Sequence, residues 1–561
     1  MQQRQFYFLL IAAALLFVSC GKTNTQGRLI PKDASFVLLA DGKSLSSKLS
    51  WEEIKQNPLF TEAAADSTIP AELKAILENP DNAGIDIKDD LLFFVQKDST
   101  GGYICFEGKI KDADLFKKFN SASGGSSSEK DGVDYISKAP VCVGWDKEKF
   151  VYIMDVPGFN KMDELNQRMQ RDSIDISSLF PKRDVLATCL SIFSLKENNS
   201  LAKSAPFTKL VKKTGDIRLW LNSEELYKGM GMMIPFLNLE KLYKGNISTA
   251  VLNFENGKIQ LKGESYAGEE LTNLYKKYGG GKVSEDMLKR MPGKDINGLL
   301  ALSFKPQALV EFAKLLGVDG IINGSIQKEL GITMDDFIKA NKGDILIGIS
   351  DLKIERDTSK ALFKDQEQFA LPAVPKPSFN FVFAASVGDK DAFNKLIAAG
   401  QKLGGQFLNP NSAPFQYSSN GTYFSISNTK ENADKFLNSA ASAAEFIDKI
   451  SGEPFGGYIN IQSLLRSFEK EAALDSAAKV AYDASLKMWD NIQWKGGAMD
   501  GEVMTQSVEI NLLDKTVNSL KQLNQYAAKL SQLYQQKKQQ EKAERMAFED
   551  FNASDSLPPL K

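Results

Sequence analysis

The sequence of 561 residues contains no histidine. That absence excludes Ser-His-Asp and Cys-His catalysis, the HExxH zinc motif and the imidazole that many enzymes use as a proton shuttle near neutral pH. The chain also lacks a phosphate-binding P-loop, a complete GxGxxG fingerprint and a GxSxG nucleophile elbow. The sequence therefore predicts no catalytic residue, no metal ligand and no cofactor.

Cysteine is scarce, with four residues in the chain. Cys20 directly follows an apolar run, whereas Cys105, Cys142 and Cys189 each lie inside one. An odd number of remaining cysteines argues against a complete disulfide framework, and three scattered cysteines without histidine make a poor zinc site. We expect buried free thiols, with a Cys105–Cys142 bridge as the one pairing that merits a test.

Net charge is also nearly absent, with 69 Lys and Arg against 71 Asp and Glu. A nucleic-acid-binding protein normally carries a basic patch or stripe, so we expect no nucleic-acid partner. No run after Cys20 reaches the roughly 18 consecutive apolar residues that predict a spanning helix. The composition, 43% hydrophobic and 25% charged, is typical of a globular protein with more than one core.

The N-terminus carries the clearest localisation signal. An unbroken apolar run occupies residues 6–18, preceded by Arg4 and followed by Ser19 and Cys20. Such a run spans about 20 Å as a helix, short of the ~30 Å hydrocarbon core of a bilayer. The pattern resembles a bacterial lipobox, with a signal peptide over 1–19 and a diacylglycerol-modified Cys20. An ordinary signal peptide followed by a chance cysteine is the alternative.

The residues after the cysteine are polar and, through Gln26, contain no acid. In Bacteroidetes lipoproteins an acidic cluster at this place accompanies export to the cell surface. By resemblance, its absence favours the periplasmic face of the outer membrane. Residues 20–28 are predicted to form a lipidated leash, a short polar linker between the membrane and the folded part. Several acyl chains anchor a protein stably, whereas one chain does not.

Two segments share four identities at one constant offset. KIKDADLFKKF in the first half matches SVGDKDAFNKL in the second, and an alternating apolar strand precedes each. We expect Asp112 and Asp389 to cap helices, because an Asp side chain accepts the free amides of a first turn. Phe116 and Phe393 would then face a sheet. Chance similarity of simple strand–helix patterns is the alternative to duplication.

The repeats predict an internally duplicated α+β protein, in which helices pack on one face of antiparallel sheets in an A-B-A-B arrangement. The first half (29–280) has units 29–175 and 180–280; the second half (286–540) has units 286–440 and 445–540. Each unit is predicted to open with a strand: FVLLADG, VLATCLSIF, GLLALSF and GGYINIQ. Type I′ hairpin turns are predicted at Asn256-Gly257, Asn420-Gly421 and Asp500-Gly501. Residues 541–561 are predicted to be a polar helix end and a disordered tail.

Two further patterns suggest contact or modification sites. MGMMIPFLNL is rich in thioethers, which can repack around apolar ligands; a buried helix is the alternative. The residues proposed for apolar contact are Met230, Met232, Met233 and Phe236. Asp-Ser pairs followed by Thr or an apolar residue resemble the acceptor pattern of Bacteroidetes general O-glycosylation. The serines concerned are Ser67, Ser99, Ser173 and Ser476.

One stretch of the sequence resembles a catalytic motif, but its spacing does not fit. Lys213-Thr214-Gly215 resembles the KTG of serine β-lactamases, and Ser200 to Lys203 matches their SxxK. That family places the two elements far apart in sequence, whereas about ten residues separate them here. The KTG position corresponds to turns that enter strands elsewhere in the repeat, so we interpret it as structural.

The lipobox, IPKDASFVLLADGKSL, KDDLLFFV and GGYINI together resemble the Bacteroidetes lipoproteins of domain of unknown function 4836, over nearly the whole mature chain. The resemblance implies an envelope location and assigns no activity. We therefore expect a non-enzymatic outer-membrane lipoprotein that binds an envelope protein, a glycan or an apolar ligand. The alternative is a His-free hydrolase that uses carboxylates on envelope or dietary glycans.

Overall fold

The computed structural model describes residues 27–65, 71–98, 101–122, 125–156, 182–228, 237–357, 374–403, 415–438, 445–473, 476–533, 535 and 546. The strands are β1 (Phe36–Asp41), β2 (Asp90–Asp98), β3 (Gly101–Lys109), β4 (Ser128–Lys130), β5 (Val133–Lys138), β6 (Val141–Trp145), β7 (Lys149–Asp155), β8 (Ile217–Asn222), β9 (Ile247–Glu255), β10 (Lys258–Tyr266), β11 (Ile296–Ser303), β12 (Asn341–Asp357), β13 (Val374–Val387), β14 (Gln416–Ser419), β15 (Tyr423–Ser427), β16 (Phe455–Asn460), β17 (Trp489–Asp500) and β18 (Val503–Leu512).

The α-helices are α1 (Gly42–Lys48), α2 (Trp51–Lys55), α3 (Pro58–Ala65), α4 (Ala71–Glu78), α5 (Ala113–Ala122), α6 (Val185–Phe193), α7 (Ala205–Val211), α8 (Ser223–Tyr227), α9 (Glu240–Tyr243), α10 (Glu269–Tyr278), α11 (Glu285–Lys289), α12 (Gln307–Leu315), α13 (Asp319–Leu330), α14 (Met334–Ala340), α15 (Lys390–Leu403), α16 (Lys430–Asn438), α17 (Ile447–Ile450), α18 (Ile461–Ser467), α19 (Glu469–Ala472), α20 (Ser476–Met488) and α21 (519–533). Short 3-10 turns occupy Pro80–Ala83, Glu197–Asn199 and Leu201–Lys203.

All of these strands join in one open antiparallel sheet. Its order is β4-β5-β6-β7-β3-β2-β1-β8-β9-β10-β18-β17-β16-β11-β12-β13-β15-β14. The seam between the two halves of the chain is the pairing of β10 with β18, from Lys258 opposite Asn511 to Tyr266 opposite Val503. The mixed α+β class and the antiparallel pairing predicted from the sequence are thereby confirmed.

Helices cover both faces of the sheet, which corrects the prediction that they cover one. Consecutive residues Cys105 and Phe106 of β3 point to opposite faces, because side chains alternate along a strand. Cys105 packs in a core with Cys189 of α6, whereas Phe106 packs in a second core with Phe116 of α5. The near-continuous apolar run of β3 is what a strand buried on both faces requires.

The two predicted helix caps are present. Asp112 Oδ1 accepts the amide of Leu115 at 3.0 Å, ahead of α5. Asp389 Oδ1 accepts the amide of Ala392 at 2.8 Å, ahead of α15. Each carboxylate satisfies an amide that has no partner within its helix, so both cap predictions are confirmed.

The two phenylalanines that follow these caps face the sheet, as predicted. The ring of Phe116 stacks on Phe150 of β7, with centroids 5.2 Å apart. The ring of Phe393 meets Phe424 of β15 edge to face, also at 5.2 Å. Both helices are therefore fixed to their strands by aromatic contacts.

The strand predicted for VLATCLSIF is wrong, because this segment is helix α6. Asp184 Oδ1 caps it through the amide of Ala187 at 2.9 Å. Val185, Cys189 and Ile192 are its buried residues, at the i, i+4, i+7 spacing of one helix face. The strand that pairs with β1 in this unit is β8 instead.

The hairpins predicted at Asn256-Gly257, Asn420-Gly421 and Asp500-Gly501 exist, but their type was predicted wrongly. A type I′ turn needs positive φ at both central residues. Of these pairs only the glycines Gly257, Gly421 and Gly501 have positive φ, at 66°, 80° and 64°.

The cysteines of the described chain are free and buried, as expected for Cys105, Cys142 and Cys189. The Cys105–Cys142 bridge is therefore not formed. The thiol of Cys142 interacts with that of Cys189 instead, because α6 places Cys189 over the same face of β6. No helix in the described ranges is both long enough and apolar enough to cross a bilayer.

Candidate functional site

Within the described residues, the middle of the sheet has an uncovered face that forms a trough. The floor is made by β9, β10, β18 and β17, and the residues next to α7 and α17 form the walls. The cavity measures about 570 Å³. It is lined by Lys213, Thr214, Val251, Asn253, Lys262, Gly263, Glu264, Glu453, Lys495, Gly496, Thr505, Gln506 and Ser507.

A row of amide and carboxylate side chains runs beside the trough on the same face of the sheet. Gln493 lies opposite Glu509, Glu509 opposite Gln260, and Gln260 opposite Asn253. Directly paired residues point to the same face, so these four side chains lie side by side. Gln260 Nε2 donates to Glu509 Oε1 at 2.7 Å, which fixes the middle of the row.

The opposite face of the same strands is apolar. Phe254 of β9, Ile259 of β10 and Ile510 of β18 pack there with Leu520 of α21 and with residues of α1. The alternation along β10 therefore has a physical basis: apolar positions are buried under helices, and polar positions are directed into the trough.

Glu264 lies at one end of the trough and is held by two lysines. Its carboxylate is 2.7 Å from Lys213 Nζ and 3.3 Å from Lys209 Nζ, and it accepts the Tyr266 hydroxyl at 2.8 Å. Partial burial opposes ionisation, but the hydrogen bonds from Lys213 and Tyr266 outweigh it and keep the pKa of Glu264 below its usual value. Glu264 is therefore ionised at neutral pH.

Glu509 lies in the row beside the trough, two positions from Ser507 on β18, and is also ionised. Burial raises its pKa, but the Gln260 hydrogen bond and the charge of Lys258 outweigh burial, so the pKa is lowered overall. Lys258 Nζ lies 3.3 Å from the Glu509 carboxylate. Glu264 and Glu509 are thus anions neutralised by neighbouring lysines.

This geometry is suited to binding more than to acid–base hydrolysis. Glu264 and Glu509 are both ionised and paired with lysines. A glycosidase needs a pair of carboxyl groups of which one is protonated. In the part of the chain that the structure describes, no group of three or more Cys, Asp or Glu residues is arranged to hold a metal ion.

A second cavity of about 770 Å³ adjoins the first along β17 and has more carboxylates. Its acids are Asp295, Glu445, Asp448 and Asp490, and Gln493 of β17 also lines it. Asp490 is 2.9 Å from Lys515 Nζ, and Asp295 accepts the Ser463 hydroxyl at 2.5 Å. Both carboxylates therefore already have partners on the protein.

Most of the predicted site residues lie outside the described part of the chain. These are Cys20, Met230, Met232, Met233, Phe236, Ser67, Ser99 and Ser173. Ser476 is the first residue of α20. Lipidation, apolar contact and O-glycosylation at these positions therefore stay predictions.

The trough itself was not predicted from the sequence. Lys213 and Thr214, part of the rejected KTG motif, form one wall, which gives this turn a place at the site. The alternation in KIQLKGESY and VMTQSVEINL was the one local signal, since it marks strands with one exposed polar face.

The fold and the trough together define the class of this protein. It is an α+β protein built on one large open antiparallel sheet, and in its described part a polar face at the middle of the sheet is uncovered. The chain belongs to the family described as domain of unknown function (DUF4836), which matches residues 27–367. The match crosses the predicted boundary between the two halves at 280–286, so the family unit includes parts of both.

Two crystal structures of TP0453 are similar to this chain. Crystal form I shares 13% identity with a TM-score of 0.24 and covers 43% of this chain and 78% of its own. Crystal form III shares 11% identity with a TM-score of 0.23 and covers 46% and 87%. At TM-scores this low, the similarity supports no conclusion about fold or function. No curated protein matches the chain.

Proposed function

We propose that this protein is a non-enzymatic lipoprotein, anchored to the periplasmic face of the outer membrane through Cys20, whose central trough binds a polar ligand. The open polar floor across the seam is the observation that carries the proposal. Of the three partner classes expected from the sequence, a glycan or a peptide suits a floor of Gln, Asn, Lys and Glu better than an apolar ligand does.

We also propose that the chain arose by internal duplication in the order A-B-A-B. The strand order supports this. From the outside to the seam, β3-β2-β1-β8-β9-β10 in the first half corresponds to β13-β12-β11-β16-β17-β18 in the second. The trough then lies where the last strands of two equivalent halves meet, at β10 and β18.

The alternative, a carboxylate-based glycan hydrolase, has weaker support. The lysine partners of Glu264 and Glu509 leave neither as the protonated acid that such a reaction requires. The alternative predicts that a Glu264→Gln, Glu509→Gln double variant loses glycan cleavage that the unaltered protein shows. The binding proposal predicts no cleavage by either protein.

The anchor is tested by Cys20→Ala in the full-length chain. We expect the variant to leave the membrane fraction and to lack the mass of the acyl groups. A variant that stays membrane-bound with the mass expected for a lipidated chain would contradict the anchor.

The trough is tested by a photoreactive side chain at Thr505, a residue of β18 that lines the trough, in the membrane-anchored protein. The matched control carries the same group at Lys138, an exposed residue of β5 near the far edge of the sheet. We expect a defined adduct at Thr505 and none at Lys138. Absence of an adduct at Thr505, or the same adduct at both positions, would refute the trough as the binding site.

A further inference from the structure

Two lysines of the trough differ from the others in having no ion-pair partner. Lys213 and Lys209 pair with Glu264, and Lys258 pairs with Glu509 and Glu255. Within the described ranges, Lys262 and Lys495 have no carboxylate within ion-pair distance, although both line the same cavity.

These two lysines flank one hydroxyl. Ser507 of β18 lies opposite Lys262 of β10 on one side and opposite Lys495 of β17 on the other. The three side chains therefore share one row on the trough face, with the two lysine backbones about 10 Å apart, two strand spacings. The flexible stem of each lysine can bring its ammonium towards a group bound above Ser507.

The charges around this row favour an anion. Glu453 lies on the rim, and Glu509 is close enough to Lys262 for its pKa to be lowered by that charge, yet neither forms an ion pair with Lys262 or Lys495. Two ammonium groups without an ion pair among the described residues repel each other, and an oxyanion between them would remove that repulsion and accept hydrogen bonds from both.

We propose that Lys262, Ser507 and Lys495 form an oxyanion subsite, which holds a carboxylate or phosphate group of the polar ligand. This inference rests on the proposed function and deepens it, because it assigns the trough an acidic ligand, with the row as the point of charge recognition. The sheet below the row is held rigid by pairing on both sides of β18, so the subsite is largely formed before the ligand arrives.

The test measures the affinity of the full-length protein for trigalacturonate and for its trimethyl ester, in which each carboxylate is replaced by an uncharged ester. Glucose 6-phosphate and glucose provide the same comparison for phosphate. The variants are Lys262→Gln, Lys495→Gln and the double substitution, and Lys138→Gln is the control with an equal change of net charge. Thermal unfolding of each variant checks that the fold is retained.

We expect at least one acidic probe to bind at least tenfold more tightly than its neutral counterpart, a difference of about 1.4 kcal/mol. Each single variant should lose part of this preference and the double variant all of it, with Lys138→Gln unchanged. Which acidic probe shows the preference identifies the carboxylate or the phosphate as the bound group.

Equal affinity for acid and neutral probes would overturn the subsite, and so would an equal loss in Lys138→Gln. Failure of every acidic probe to bind would also overturn it. None of these results bears on the adduct at Thr505, so failure of the subsite and failure of the trough are distinguishable.

Discussion

At the scale of single residues, the trough carboxylate of Glu264 is paired with lysines, whereas one acid elsewhere has an oxygen without a partner. Glu107 of β3 is 3% exposed, and its Oε2 has no hydrogen-bond partner among the described residues. Burial raises its pKa to about 7, against a weaker opposing effect of Lys149. An ionised carboxylate there costs stability, since it is removed from water without compensation.

This acid predicts a pH dependence of stability. Between its ordinary pKa of 4.5 and about 7, Glu107 binds a proton more tightly in the folded state, so its contribution falls as pH rises through this window. Relative to Glu107→Gln, the wild type should lose up to about 3 kcal/mol in its free energy of unfolding between pH 5 and pH 8. Urea denaturation at both pH values measures this, and a pH-independent difference would contradict it.

At the scale of elements, the capping residues of α5 and α15 stabilise the first turns of two helices that pack on the sheet. Replacement of Asp112 or Asp389 by Ala leaves first-turn amides without a partner and should cost about 1 kcal/mol in each case. Asp114 and Asp391, exposed acids in the same two first turns, provide matched controls whose replacement should cost under about 0.5 kcal/mol. Equal losses for cap and control in urea denaturation would show that the hydrogen bonds are not what stabilises these helices.

The same elements show which features of the fold can be predicted from the sequence and which cannot. The caps at Asp112 and Asp389 were predictable because a capping carboxylate and its helix are neighbours in sequence. The segment VLATCLSIF was not, because a nine-residue apolar run is compatible with a buried strand or a helix, and only Asp184 favoured the helix. The trough was beyond local reasoning, since it depends on the pairing of β10 with β18, which lie far apart in the chain.

At the scale of the whole molecule, the continuous sheet and a shared core should make the two halves unfold together. Leu520 of α21 packs with Phe254 and Ile259 from the first half and with Ile510 from the second. Leu520→Ala should cost about 2–5 kcal/mol. Trp220 and Trp494 can each be observed in a separate single-tryptophan protein. With Leu520→Ala, the fluorescence of both should report unfolding at the same urea concentration, lower than without this substitution.

The control for this prediction is Leu309→Ala, because Leu309 is an exposed residue of α12 and its loss should shift the transition little. If Leu520→Ala moved the transition seen by one tryptophan and left the other in place, the halves would be separate folding units. The seam would then be a docked contact between domains, and the trough a variable opening.

The central claim about this molecule, that its ligand binds in the trough, can be tested by filling the trough. Ser507→Trp places an indole on the uncovered floor and should fill much of the 570 Å³ cavity without disturbing the apolar core on the opposite face. Binding of the membrane-anchored protein to a defined array of glycans and peptides should be lost in Ser507→Trp and retained in Lys138→Trp. Unchanged binding by a folded Ser507→Trp protein would contradict the account.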